Sequence, residues 1–434
     1  MQLYETIQRY FQLKEHRTDV RTEVLAGATT FLSMAYITVV NPAILSDAGM
    51  DFGAVFVATC LAAAVGSLIM GVWANYPIAQ APGMGQNAFF TYGVVLGLGH
   101  TWEAALGAVF VSGIIFVILS LLPVREWLIN AIPRNLKLGI SAGIGLFLGF
   151  IALKNAGIVS DNPATLVALG DLTSPGAFIC LAAFALIAAL TARGISGAVI
   201  IGMMIATILG IVSGVSEYKG LISTPPSVDP VLFKFDLLAV LDISMVTVVV
   251  TMLLVDVFDT AGTLVGVASR ADLLDEEGKL PRLGRALISD STATVVGGLV
   301  GTSSTTSYIE SAAGVESGGR TGLVAVTVSA LFLLCLFLAP LAQTIPAFAT
   351  AAALLFVACI MARSLADLDW DDLTESAPAI VCALGMPLSF SIADGIGLGF
   401  ITYVAVKVMS GRAADCPIAV YVIAAIFLGK FAFL

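Results

Sequence analysis

The chain has 434 residues, of which 59% are hydrophobic and only 12% charged, with a formal net charge of −10 and a mean hydropathy of +1.00. Soluble domains carry roughly 25% charged residues, so this chain belongs in a bilayer, and a secreted disulfide scaffold, a disordered chain, a coiled coil and most soluble enzymes are excluded. The acidic balance also leaves no basic surface for nucleic acid.

Residues 1–21 are charged and amphipathic, with Arg9, Lys14, Arg17 and Arg21. They lack the apolar run and small-residue cleavage site of a signal peptide and read as a retained cytoplasmic helix. Seven apolar stretches follow, at about 22–45, 52–72, 74–96, 102–122, 133–153, 176–192 and 196–215. Seven more lie at about 242–268, 284–300, 302–318, 321–342, 347–363, 376–391 and 393–409. A last run at 417–433 is either interfacial or a fifteenth span. With the N-terminus inside, the loops expected to face the cytoplasm hold sixteen Lys and Arg, against three (Lys154, Lys219 and Lys234) in the others, with Lys430 undecided. That asymmetry supports the register of the spans.

The six Cys lie in or beside apolar runs and form no CxxC or metal-ligand spacing. His16 and His100 fall in flanks, so neither a metal centre nor a cofactor is expected. A membrane-embedded enzyme has no support, for there is no nucleophile–His–acid set and no phosphate loop.

The two sets of seven echo each other. Ala-Ile-Pro at 131–133 opens span 5 and Thr-Ile-Pro at 344–346 opens span 12. The stretch from Ala192 to Gly197 between spans 6 and 7 is matched by Ala393 to Gly397 between spans 13 and 14. Aligning Gly71 with Gly301 sets Gln80 opposite Glu310. Seven is odd, so the second set is inverted relative to the first, the mark of a secondary transporter with its site near the midplane. The expected fold is an all-α polytopic membrane protein with 14 transmembrane segments in a 7+7 inverted repeat.

Spans 3 and 10 are poor helices. Pro77, Pro82, Gly83 and Gly85 interrupt the first, and a β-favouring run from Thr302 to Ser307 opens the second. Extended backbone at mid-membrane must be satisfied inside protein, so two short antiparallel strands, one per half, are expected to pair. The half-helices after them would begin near the membrane centre with free N–H groups facing a ligand.

Asp256 and Asp259 lie inside span 8, and Glu310 lies at the break of span 10. An ionisable group at the bilayer centre costs about 2.5–3.5 kcal/mol on the most lenient scale and signals function. The two aspartates are three residues apart and share one helix face. No Lys or Arg lies within spans 3, 8 or 10 to neutralise them, and a carboxyl in so dry a place suits proton gain and loss. Asn87 could read a ring edge or cap a helix; Gln80 and Thr306 are weaker candidates, and Tyr36, Phe89, Phe90 and Phe258 could stack on a planar ring.

At these residues the chain resembles the nucleobase/ascorbate transporter (uracil/xanthine permease) superfamily, and most closely its adenine–guanine–hypoxanthine permease branch. The resemblance rests on Phe31 to Ile37 with Asn41-Pro42, on Pro82 to Phe90, on Asp256 to Leu264 and on Thr305 to Ser311. It implies proton-coupled import of purine nucleobases (adenine, guanine, hypoxanthine) by an elevator-like movement. A core of 22–122 and 242–342 would move against a gate of 123–215 and 343–410, in a homodimer, with 411–434 as a C-terminal segment. Substrate would meet Glu310, Asp259, Asp256, Asn87, Gln80, Thr306, Phe258, Ser311 and Gly85, while Asp256, Asp259 and Glu310 couple protons. The expected location is the plasma (inner) membrane. Uracil-type members often carry Glu and His in span 8 where this chain has two Asp, which favours purine over uracil, with a uracil/xanthine transporter of the same fold as one alternative. A sulfate- or bicarbonate-type anion transporter of the same architecture is the other alternative, opposed by three acids at the site.

Overall fold

The computed structural model describes residues 2–122, 132–275 and 280–433. Ala131, which begins the Ala-Ile-Pro of span 5, and Arg125 and Lys279, two of the sixteen cations assigned to cytoplasmic loops, lie outside the described residues. Helices dominate, and among the described residues nine are long and apolar enough to cross a membrane.

Helix α1 (Gln2–Tyr10) is shorter than the segment expected at the N-terminus. Phe11 and Leu13 beyond it bury against Leu323, and Tyr10 Oη donates to the Val72 carbonyl at 3.0 Å. The Asp19 side chain accepts from Thr22 N at 2.9 Å and so caps α2 (Val20–Met34). Next come α3 (Ile37–Asp47) and α4 (Phe52–Ile69), the latter prolonged by π-helical turns to Ala74. Strand β1 (Gln80–Pro82) leads into α5 (Met84–Ala88), which continues in π-helical turns to Gly97. Helices α6 (Trp102–Leu121) and α7 (Arg134–Asn155) follow. A hairpin, β2 (Val159–Asn162) with β3 (Leu166–Leu169), stands where the sequence reading has only a connection. The Asn162 side chain closes its turn by accepting from the amides of Ala164 and Thr165.

After α8 (Pro175–Ala192) and α9 (Ala198–Val212), the 28-residue α10 (Ile243–Arg270) runs to α11 (Leu283–Val300). Strand β4 (Thr305–Ser307) and the six-residue α12 (Ser311–Glu316) form the second break. The chain ends with α13 (Gly322–Cys335), α14 (Ala339–Thr344), α15 (Ala347–Ala362), α16 (Leu373–Ser389), α17 (Ile392–Met409) and α18 (Ile418–Phe433).

Small residues let these helices approach closely, as van der Waals packing in lipid requires. A Cβ on Gly322 would lie 1.9 Å from the Gly71 carbonyl oxygen, and one on Gly139 would lie 2.6 Å from that of Ala379. Helix α11 packs on α4 and α6, α13 on α2 and α4, and α7 on α15 and α16. Buried Lys407 pairs with Glu375 at 2.7 Å, and Tyr403 Oη donates to the same carboxylate at 2.8 Å, tying α16 to α17. Helix α18 runs antiparallel along α17, with Lys430 Nζ 2.6 Å from Asp394.

Candidate functional site

Strands β1 and β4 pair antiparallel, Gln80 with Ser307, Ala81 with Thr306 and Pro82 with Thr305. Gly83 N donates to the Ser304 carbonyl at 2.9 Å and Tyr308 N to that of Ala79 at 3.0 Å, so the ladder outlasts the strands at both ends. Every residue of both strands is buried. Backbone groups that no water reaches are thus satisfied across the two breaks. Tyr308 Oη donates to the Pro82 carbonyl at 2.5 Å, and Ala79 N donates to Ser311 Oγ at 3.0 Å. The ladder centres on Ala81 and Thr306, so exchanging the strands sets Gly85, not Gln80, on Glu310. Gly71 lies within the π turns that prolong α4, whereas Gly301 follows α11, and that offset misleads the alignment.

Glu310 is half-buried beside α12 and accepts a 2.5 Å hydrogen bond from Tyr36 Oη. Asp259 is exposed on α10, near enough to Glu310 for the two charges to interact. Among the described residues it has no hydrogen-bond partner. Gly262 lies on the same face of α10, where a Cβ would meet nothing within 4 Å. Asp256 points elsewhere. It is 1% exposed and accepts from Gln86 Nε2 at 3.0 Å and Thr294 Oγ1 at 2.8 Å. The two aspartates therefore do not share one environment. Residues three apart on a helix differ by about 60° in direction, enough to straddle the boundary between packed and open faces.

The remaining candidates are mostly packed away. Asn87 is fully buried, its Oδ1 accepting from Ser303 Oγ and its Nδ2 lacking a partner among the described residues. Gln80 Nε2 donates to Asp290 and Ser307, and Thr306 shares a 2.8 Å hydrogen bond with Thr260. Gly85 is buried against Ile144 of α7. Phe258 is half-buried, with Lys137 Nζ of α7 5.6 Å from its ring centroid. A cation absent from spans 3, 8 and 10 is thus supplied by another helix. The first N–H groups of α12 are not free: those of Ser311, Ala312 and Ala313 donate to the carbonyls of Tyr308, Ile309 and Glu310.

Sequence reasoning missed Asp290, a further acid inside an apolar stretch, and the donors Thr260, Gln86 and Thr294. The signal for Asp290 is the one that flags Asp256, an ionisable residue in a predicted span.

Crossed strands buried among long apolar helices, with acids beside an open helix face, define a multi-pass membrane protein built for moving a solute. The fold is similar to the transmembrane domain of the cyanobacterial bicarbonate transporter BicA, with a TM-score of 0.63 at 14% identity, covering 86% of this chain and 97% of that one. Residues 21–398 match the model of the Permease family. The adenine permease AdeP of Escherichia coli K12 is 48% identical over 428 residues, covering 99% of this chain and 96% of that protein. The guanine/hypoxanthine permease PbuO of Bacillus subtilis is 44% identical over 425 residues, covering 96% and 98%. The chain belongs to this permease family, in the superfamily its motifs resemble, and is a transporter rather than an enzyme.

Proposed function

We propose that the chain imports purine nucleobases with protons across the plasma (inner) membrane, by an elevator-like alternating-access movement. The names of its relatives support the solute, and the site supports the chemistry. Purines present ring and exocyclic N–H groups at their edges, and carboxylates accept from such donors. The observation that carries the reading is the pairing of Asp259, exposed and without a hydrogen-bond partner among the described residues, with Glu310, held by Tyr36. Two acids facing one open space repel each other, and one proton relieves that repulsion. Loading one proton with the neutral base then halves the negative charge of this pair for crossing.

Thr294 supports a coupling role for Asp256. Its hydroxyl lies 2.8 Å from Asp256 Oδ2 and 3.0 Å from the Thr305 carbonyl, and it has one proton to give. Ionised Asp256 takes that proton's hydrogen bond. Protonated Asp256 donates to Thr294, which turns to the carbonyl of β4. Either state is satisfied, and the strand reads which one is present.

The reading includes fourteen spans in an inverted 7+7 repeat, with the N-terminus cytoplasmic. The core of 22–122 and 242–342 carries the site past a gate of 123–215 and 343–410, in a homodimer. An anion transporter of the same fold is disfavoured, because the open acids repel anions and α12 offers no free N–H groups in its first turn.

Uptake of labelled hypoxanthine and adenine tests the reading, with and without a protonophore. Glu310→Ala should abolish uptake and the protonophore should collapse it in the unaltered chain. Uptake by Glu310→Ala at the unaltered rate would sink the assignment.

A further inference from the structure

Helix α11 contributes an acid that the transport reading leaves unused. Asp290 is wholly buried. It accepts from Gln80 Nε2 of β1 at 3.0 Å, from the backbone N–H and the hydroxyl of Ser307 in β4 at 2.8 Å each, and from Thr260 Oγ1 of α10 at 2.6 Å. Among the described residues it has no ion-pair partner. A carboxylate has about four acceptor sites, so these donors saturate it, and three elements converge on one side chain.

Thr260 transmits the consequence. It follows Asp259 in the chain, and its hydroxyl also lies 2.8 Å from Thr306 Oγ1. With its single proton given to Asp290, Thr260 must accept from Thr306. One directed chain, Thr306 to Thr260 to Asp290, thus clamps α10 between β4 and α11. One turn along α11 from Asp290, Thr294 holds Asp256 of the same α10 face. These contacts fix the rotation of α10 about its axis, with Asp256 and Thr260 inward and Asp259 and Gly262 toward the open side.

We propose that Asp290 is a positioning residue for transport: without touching substrate, it sets the direction of Asp259 by fixing the rotation of α10 against the crossed strands. The proposal rests on the transport reading above. A carboxylate that merely braced the fold would change how much protein reaches the membrane, not how well each molecule grips its solute.

The test compares Asp290→Asn, Thr260→Val and the double variant in the full chain, with uptake expressed per molecule in the membrane. The amide keeps the size of the side chain but turns an acceptor toward existing donors as a donor. Asp290→Asn should raise KM about tenfold, the scale of losing a hydrogen bond to a charged group. Thr260→Val should raise it less, and the double variant should be no worse than Asp290→Asn alone, because the two act through one chain. An unchanged KM, or additive effects, overturns the proposal. If Asp290→Asn does not reach the membrane, Thr260→Val decides by the same criterion.

A second readout needs no substrate. In a Cys359→Ser background, a permeant maleimide should label Gly262→Cys and spare Ala261→Cys, because Ala261 is buried and Gly262 open. Asp290→Asn should narrow that contrast several-fold, and an unchanged contrast overturns the proposal. A chain that takes up no purine would sink the transport reading and leave this readout standing.

Discussion

Tyr36 and Glu310 are 274 positions apart in sequence, yet their 2.5 Å hydrogen bond aims the acid beside the open face of α10. Tyr36 stands in the sequence as one aromatic among several, and nothing in its spacing distinguishes a ring that stacks from a phenol that donates. Removing the hydroxyl leaves Glu310 without its aiming partner. A hydrogen bond to a charged group contributes roughly 1.5–3 kcal/mol, so Tyr36→Phe should raise the KM of purine uptake about tenfold or more while leaving the amount of protein in the membrane unchanged. A concentration series of uptake checks this, and an unchanged KM would mean that Glu310 needs no aiming. The acids themselves were legible as charges in apolar runs. Their separate environments were not, because spacing gives relative direction on a helix and not which direction is open.

At the scale of elements, the broken spans were legible for a chemical reason. Proline and glycine in one and a Thr/Ser run in the other are incompatible with continuous helix, and unsatisfied backbone in a membrane must find a partner. The length of each half-helix was less legible. Helix α5 continues to Gly97 through π turns, whereas α12 ends at Glu316 after six residues, and tertiary packing decides both. The β2–β3 hairpin left a weaker trace, since strands of four residues are too short for alternation to stand out. Gly85 shows how tightly α5 meets α7. A Cβ there would lie 2.6 Å from Ile144 Cγ2, closer than side chains approach. Gly85→Ala should therefore cut uptake severely by wedging these helices apart. Ile144→Ala, which removes the colliding methyl, should restore much of it in the double variant. Uptake by the two single variants and the double one decides, and failure of the second change to rescue would place the role of Gly85 elsewhere.

The two faces of the whole molecule differ. On one, α1 docks at the end of α4, Arg282 Nη2 bonds the Asn75 carbonyl at 3.3 Å, and Arg270 at the end of α10 pairs with Glu316 at 3.0 Å. On the other, Tyr92 Oη donates to Asp47 at 2.6 Å, and Phe390 packs edge-to-face on Tyr92, Phe147 and Phe150 with centroids 6.2, 5.4 and 5.7 Å away. Lys154 Nζ lies 5.2 Å from the same ring. Phe390 holds this place at a φ of +56°, a conformation that L side chains rarely adopt and that the surrounding contacts must stabilise. On the face away from α1 the proposed core, through Tyr92, thus meets the proposed gate, through Phe147 and Phe390. Asp259 and Gly262 remain open. Aromatic edge contacts contribute roughly 0.5–1.5 kcal/mol each beyond their burial. Of these only the contact with Tyr92 joins the proposed core to the proposed gate, so Phe390→Ala should move the balance several-fold toward the state open on the face away from α1. In a Cys359→Ser background, the thiol of Gly262→Cys should then react correspondingly more slowly with a reagent supplied from the α1 side. An unchanged rate would mean that the aromatic cluster packs the fold without governing which side is open.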